Sequence, residues 1–408
     1  MGIRVAVIDD NPHVRWEGRV YPANATFHRF LSGVLDVPGA PVAEIVHCMP
    51  LRDASGPPET LPLDPRLEVV GTAPFDGIAG YLRNAPAITR ANRPILRVAI
   101  RDADLVWIKV PGSNAALAAA LATGAGVPRL AWVAGSAGAV AAGQDRSPAF
   151  ALGAVALGGL YDVVGRVVGF GGRRIVVGQG LVDGQGVVAS LVEPSEIRDA
   201  ADHAWPAIPW RLRLAWAGRL AAGKGLEVLF KAVARRASAD GEDPRIELVI
   251  MGDGPLRANL TDLATNLGIG ERIHWLGHVA EREPYLNSLA ACDLFVSPSR
   301  AEGFPKAVLD AMAVGLPVLA APSGQLGPLV PAGILAPLER LEAGAVAAAI
   351  KDLAGDGERA RALRAAGTAF VAAHTRPVEA ARLVARWQAW WPDLPWKADA
   401  GDEQPSKA

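Results

Sequence analysis

Residues 297–320 read SPSRAEGFPKAVLDAMAVGLPVLA, and their breaks define a turn, a helix and a strand in succession. The apolar run leading in, LFVSPS, is a strand end. The chain turns through Arg300-Ala301-Glu302-Gly303 and is expected to begin a helix at Phe304-Pro305. Proline is tolerated in a first helical turn, where its missing N–H has no partner to lose. The helix is expected to run to Val314 and stop at Gly315, which suits a left-handed cap. Pro317 bars continuation, and VLAAP reads as the next buried strand. A carboxylate, Glu302, thus lies in a loop beside a helix N-terminus, and a second, Asp310, on the helix itself. Free N–H groups and partial positive charge at such a terminus suit phosphate or sugar oxygens. Taken alone, the stretch reads better as a capped helix with an exposed Glu, so the rest of the chain decides.

Upstream the same grammar repeats. Residues 212–217 form an apolar strand ended by Gly218-Arg219-Leu220, with Lys224-Gly225 just after and a helix from Leu226. Arg219 offers a planar fork of donors and Lys224 a compact charge. Such pre-placed donors suit a departing diphosphate, although surface cations are common in any chain. Residues 246–251 form a strand ended by Gly252-Asp253-Gly254-Pro255, a turn that lets backbone approach a ligand, and residues 272–276 form another before His278-Val279.

At its start the chain has IRVAVID, an apolar run suited to a strand buried on both faces of a parallel sheet. Residues 11–22 read as an open loop carrying His13, Arg15, Gly18 and Arg19, followed by a helix at about 24–35 that includes His28. Short strands are expected at 43–49 and 67–70, and a helix at 85–100 with an early break. Residues 104–133 form the clearest strand–helix–strand unit: LVWIKV, a helix 114–123 capped by Ser113, then RLAWV and Ala134-Gly135. Such crossovers put loops at the carboxyl ends of parallel strands, where open α/β sheets bind ligands. Residues 146–170 read as helical and rich in small apolar residues, and 174–177 as a last strand. Polar residues 193–209 read as a linker. Helices follow at 343–351, 358–374 and 378–391; in the last, Trp387 and Trp390-Trp391 share one face and read as packing. The polar tail 397–408 is expected to be disordered.

A chain of 408 residues has room for two domains, each with its own core. A formal charge of −1 gives no electrostatic reason to expect nucleic acid. Two cysteines, Cys48 and Cys292, fall in different domains, so a reducing, cytoplasmic setting fits better than a disulfide framework. No apolar run reaches the ~18 residues of a membrane span. No metal site and no cofactor are expected.

The second half resembles the donor domain of retaining GT-B glycosyltransferases of family four, which is shared with glycogen synthases. The resemblance rests on EGFPKAVLDAMAVGLPV, with WAGRLAAGKGLEVLFKA, LVIMGDGPLR and IHWLGHV in the same order upstream. The second acid of the motif is Asp310 where the family has Glu. In the first half the family's His-Gly after the returning strand is Ala134-Gly135, and its Asn-Gly-Val turn is Gln179-Gly180-Leu181-Val182.

The resemblance implies two doubly wound, Rossmann-like α/β domains facing a cleft. These would be residues 1–192 on the acceptor side, with helix 376–396 packing back on them, a linker 193–209, and a nucleotide-sugar domain 210–375. It implies sugar transfer from a nucleotide diphosphate sugar to a hydroxyl acceptor with retention and without metal. The acceptor class (glycolipid, polysaccharide or small metabolite) stays open, as does peripheral contact at the inner membrane face. Glu302, Arg219 and Lys224 would be catalytic. Gly218, Gly252, Gly254, His278, Val279, Gly303, Phe304, Pro305 and Asp310 would hold the donor, Asp310 through the ribose diol. Gly18, His13 and Gly135 would face the acceptor. A non-catalytic nucleotide-sugar binder and an epimerase acting on the donor alone are the alternatives.

An acidic pair, Asp9-Asp10, with Asp53 and Lys109 beyond it, also looks like a phospho-receiver. A receiver would end near residue 120 and leave roughly 70 residues before the next domain, against ordinary connection lengths.

Overall fold

The computed structural model describes residues 2–23, 26–75, 77–110, 112–133, 163, 173–198, 205, 212–237, 246–300 and 304–396. The expected helix at 146–170 and the tail 397–408 lie, apart from Val163, outside the described residues. The chain divides into two compact units. One takes the N-terminal elements together with the chain from Arg376, and the other takes Gly178–Thr375.

In the first unit, β1 (Ile3–Ile8) pairs in parallel with β4 (Val42–Asp53) on one side and β6 (Leu105–Val110) on the other. Outward from these lie β5 (Glu68–Thr72) on β4, and β7 (Arg129–Val133) then β8 (Arg173–Val176) on β6. Helices α1 (Thr26–Leu35), α2 (Gly77–Arg101) and α3 (Ala115–Ala125) belong to this unit. The break expected early in α2 is absent: the helix runs on through Pro86 and Pro94. Trp107 and Trp132 are fully buried with ring centroids 5.0 Å apart, and Phe27 and Phe30 close around them.

Residues 11–22 form a hairpin rather than the expected open loop. Strands β2 (His13–Trp16) and β3 (Arg19–Pro22) pair antiparallel, and β2 continues the sheet in parallel with Leu51–Asp53. The reason is local. Glu17 and Gly18 both have positive φ, 46° and 76°, the backbone of a tight two-residue turn matched to strand twist. Asp53 ends β4 beyond the level of Asp9, since Ile8 is level with Cys48, so the receiver arrangement does not form.

In the second unit six parallel strands run in the order β11-β10-β9-β12-β13-β14. They are β9 (Arg213–Ala217), β10 (Glu247–Met251), β11 (Ile273–Gly277), β12 (Leu294–Ser297), β13 (Val318–Ala320) and β14 (Ala336–Pro337). Between them run α4 (Leu226–Ala237), α5 (Arg257–Asn266), α6 (Arg282–Ala290) and α7 (Lys306–Ala313), followed by α8 (Ala343–Gly355) and α9 (Gly357–Ala372). Leu214, Leu248, Ile250, Phe230 and Val346 lie in one continuous apolar core.

The unit boundaries differ from the expected 192 and 210. Gly178 already packs with the second unit: a Cβ there would lie 2.9 Å from the Phe304 ring. Trp205, placed in the linker by sequence, packs on the second core and donates its Nε1–H to the Ala354 carbonyl at 3.3 Å. The last helix, α10 (Arg376–Trp390), belongs to the first unit, where the Arg376 guanidinium donates to the Arg29 carbonyl of α1 and Trp387 meets Trp107 at 5.3 Å. No helix among the described residues is long and apolar enough to cross a membrane.

Candidate functional site

In the second sheet the chain runs outward from β9 through β10 to β11, then returns to the other side of β9 for β12, β13 and β14. The carboxyl ends of β9 and β12 therefore flank the point where strand order reverses. In an open α/β sheet the loops that leave such a point bound the crevice where ligands usually bind.

The loops at this edge are sewn together by main-chain hydrogen bonds. After β9, Gly218 N–H donates to the Met251 carbonyl and Leu220 N–H to the Asp253 carbonyl, both at 3.0 Å. Gly252 N–H donates to the Gly277 carbonyl at 2.6 Å, which brings the His278-Val279 turn alongside. Across the switch point, Arg300 N–H donates to the Gly223 carbonyl at 3.0 Å, and the buried Ser299 hydroxyl donates to the same carbonyl at 3.3 Å. Four loops, after β9, β10, β11 and β12, thus form one connected rim.

Arg219, Lys224, Gly218, Gly252, Gly254, His278 and Val279 all lie on this rim. Arg219 and His278 are exposed, while Lys224 and Val279 are half-buried. The glycines act differently from the expectation that they admit a ligand. A Cβ on Gly252 would stand 1.9 Å from the Gly218 carbonyl oxygen, so the backbone that approaches this turn is the β9 loop. Phe304 is buried, and Pro305 takes the N-cap of α7 with extended backbone (φ −74°, ψ 113°) instead of the first helical turn. Glu302 and Gly303 lie outside the described residues, as does Gly135 in the first unit.

Asp310 is corrected by the structure. Its side chain is only 7% exposed, and its Oδ1 stands 2.7 Å from Arg282 Nη1 in an ion pair whose angles fall outside hydrogen-bond limits. Burial raises its pKa, and the Arg282 charge pulls against that rise. The same guanidinium forks onto Glu196, with Nε and Nη2 each 2.9 Å from a carboxylate oxygen. Burial would lower the Arg282 pKa, but Asp310 and Glu196 outweigh it and the net shift is upward. A carboxylate sunk in this triad is not presented to a ribose diol. The sequence reading named neither Glu196 nor Arg282, because charges far apart in the chain carry no local pattern.

The first sheet reverses between β1 and β6. There Lys109 Nζ reaches Asp9 Oδ1 at 2.9 Å, and His47 Nε2 lies 3.5 Å from Asp9 Oδ2. Asp9 is driven strongly below the carboxylate range: burial opposes this, but Lys109 and His47 prevail. Asp10 accepts from the Ser113 N–H and so caps the start of α3, a task expected of the Ser113 side chain. His13, expected on an acceptor loop, is buried at 1% exposure, with Nδ1 2.7 Å from the Asn11 carbonyl and its ring against His47 at 5.4 Å. Burial first, and the His47 charge second, lower His13 to about 4 and His28 to about 3. Gly18 sits at the hairpin tip with nothing within 4 Å of its Cβ direction. The structure therefore does not bring Gly18 and His13 together at one surface.

Residues 211–356 match the family model Glycosyl transferases group 1. Among curated relatives, the lipopolysaccharide core biosynthesis glycosyltransferase LpsE of Rhizobium meliloti is 37% identical over 102 residues, 25% of this chain and 27% of its own. D-inositol 3-phosphate glycosyltransferase 1 of Catenulispora acidiphila is 36% identical over 159 residues, 37% of this chain and 38% of its own. The chain thus spans about a quarter to two fifths of the length of these relatives. Among solved structures, Anabaena Alr3699/HepE in complex with UDP superposes with a TM-score of 0.60 over 95% of this chain and 100% of its own, at 17% identity. The fold is GT-B. Within that GT-B fold the family match falls on the unit that holds the β9/β12 crevice.

Proposed function

We propose that the protein is a glycosyltransferase that binds a nucleotide diphosphate sugar at the β9/β12 crevice of its second unit and transfers the sugar to a hydroxyl acceptor with retention. The observation that carries this reading is the sewn rim at the switch point. It holds Arg219 and Lys224 on the loop that faces the end of β12, inside the stretch matched by the family model. HepE, which shares the fold, has been solved with UDP-glucose, in keeping with a nucleotide diphosphate sugar as donor.

In this reading the diphosphate gathers negative charge as the glycosidic bond breaks. Arg219 supplies a fork and Lys224 a point charge, set before the reaction so that little reorganisation is needed. Glu302 and Gly303 contact the sugar, and Phe304 and Pro305 shape the start of α7 beside it. The acceptor hydroxyl loses its proton to the departing phosphate on the same face of the sugar. Metal is not required, because the two cations and the helix end neutralise the leaving group.

The test is incubation with a panel of UDP-, GDP- and ADP-sugars and assay for released nucleoside diphosphate. Wild type is expected to hydrolyse at least one slowly, and Lys224→Ala to lose about 10²–10³-fold of that rate. An isomerised, uncleaved donor would mean an epimerase. Binding without turnover of any donor would mean a non-catalytic binder.

A further inference from the structure

Helix α7 is only 8 residues long, too short to hold itself in water, so its place is set by what grips it. Its buried face, Val308, Leu309 and Met312, packs on the core without directional preference. Directional contacts lie at its C-terminal end and at its middle. At the C-terminal end Arg364 donates through Nε to the Gly315 carbonyl at 2.8 Å, and Arg198 N–H donates to the Ala313 carbonyl at 2.8 Å. In the middle of the helix, between that end and the Phe304-Pro305 turn, the grip is Asp310, held by Arg282 from the first turn of α6.

We propose that Arg282 is a positioning residue for the donor crevice: it locks α7, and with it the Phe304-Pro305 turn, to α6 and to the segment Pro194–Glu196. This rests on the reading of that crevice as a nucleotide-sugar site. Three of its guanidinium nitrogens are committed, Nε and Nη2 to Glu196 and Nη1 to Asp310. No nitrogen is left over for substrate, so the residue acts through α7 and not by contact. Two carboxylates share one cation in a half-buried to buried setting, and such a group is often replaceable by apolar residues without loss of stability. What apolar residues cannot supply is the fixed angle of a planar fork. Arginine holds two carboxylates from two elements in the fixed geometry of one plane, whereas the rotatable point charge of a lysine sets no such angle.

The experiment uses the full chain. Wild type is titrated calorimetrically with UDP, GDP and ADP, and the tightest of them is the probe. Two variants follow, Arg282→Lys and the apolar triple Glu196→Leu/Arg282→Met/Asp310→Leu, each measured well below its unfolding midpoint. The triple variant is expected to unfold at the wild-type temperature or above yet bind the probe about tenfold or more weakly, because a small displacement of a binding group is costly. Arg282→Lys, which keeps charge but not the fork, is expected to fall between the two. Wild-type affinity in the triple variant, or in Arg282→Lys if the triple does not fold, overturns the positioning role and leaves the proposed function standing. If wild type binds none of the three nucleotides, the proposed function fails and this inference fails with it.

Discussion

Lowering the pH from 7.5 to 5 should loosen the first unit through His13 and His28. Both rings are buried, at 1% and 4% exposure; His13 faces His47, Asp9 and Lys109, and His28 faces His47, His13, Arg29 and Asp9. Burial, reinforced by the His47 charge, lowers their pKa values from 6.5 to about 4 and about 3. A group depressed in the folded state lends its full stability above the unfolded pKa and loses it as pH falls toward the folded one. At pH 5 both imidazoles stay neutral in the fold while their unfolded counterparts, with a pKa of 6.5, are protonated. The distance from 6.5 to 5 then costs about 2 kcal/mol per histidine, about 4 kcal/mol together, or roughly a thousandfold in the opening equilibrium. Asp9 contributes nothing here, since its own window lies below its unfolded value of 3.8. Asp10, raised by burial, works in the opposite direction. The clean comparison is therefore wild type against His13→Gln/His28→Gln, in which Asp10 is common to both. Hydrogen exchange of β1 and β4 amides, corrected for intrinsic rates, reads the first unit separately from the second. An equal pH slope in wild type and the double variant would refute the reasoning.

Three further outcomes are expected. Gly252→Ala should destabilise by about 2–4 kcal/mol in chemical denaturation, since its Cβ would stand 1.9 Å from the Gly218 oxygen, and should weaken binding of the nucleoside diphosphate in calorimetry. Trp387→Ala removes a fully buried ring from beside Trp107 and should cost about 3–5 kcal/mol, seen by denaturant unfolding followed through exchange in β6. Arg219→Lys should restore part of the donor turnover lost in Arg219→Ala, because it keeps charge at an exposed position but not the fork.

Much of the architecture was legible because it is local. Continuous apolar runs marked β1, β6, β7, β9, β10 and β12, and Gly315 and Gly126 marked helix ends. The hairpin at 11–22 was missed because Glu17-Gly18 is a less obvious turn than Asn-Gly, and Glu17 has to accept a positive φ. Strand ends were legible too, and Gly218, Arg219, Lys224, Gly252 and Gly254, picked out there, all fall on one rim. What local pattern does not carry is partnership. Arg282 lies 28 positions from Asp310 and 86 from Glu196, and only the fold reveals that Asp310 is spoken for. His13 misled for a similar reason, since a histidine in a polar stretch gives no sign of the His47 and His28 rings that enclose it.

Helix α10 bears on how the protein is made. A ribosome delivers β6 and Trp107 early, but the side chain that covers Trp107 arrives with Trp387, after the whole second unit. During synthesis the nascent first half must wait with an aromatic wall uncovered, a surface suited to chaperone capture. Stop codons or proteolytic nicks near residue 375 should therefore cripple the half that was translated first.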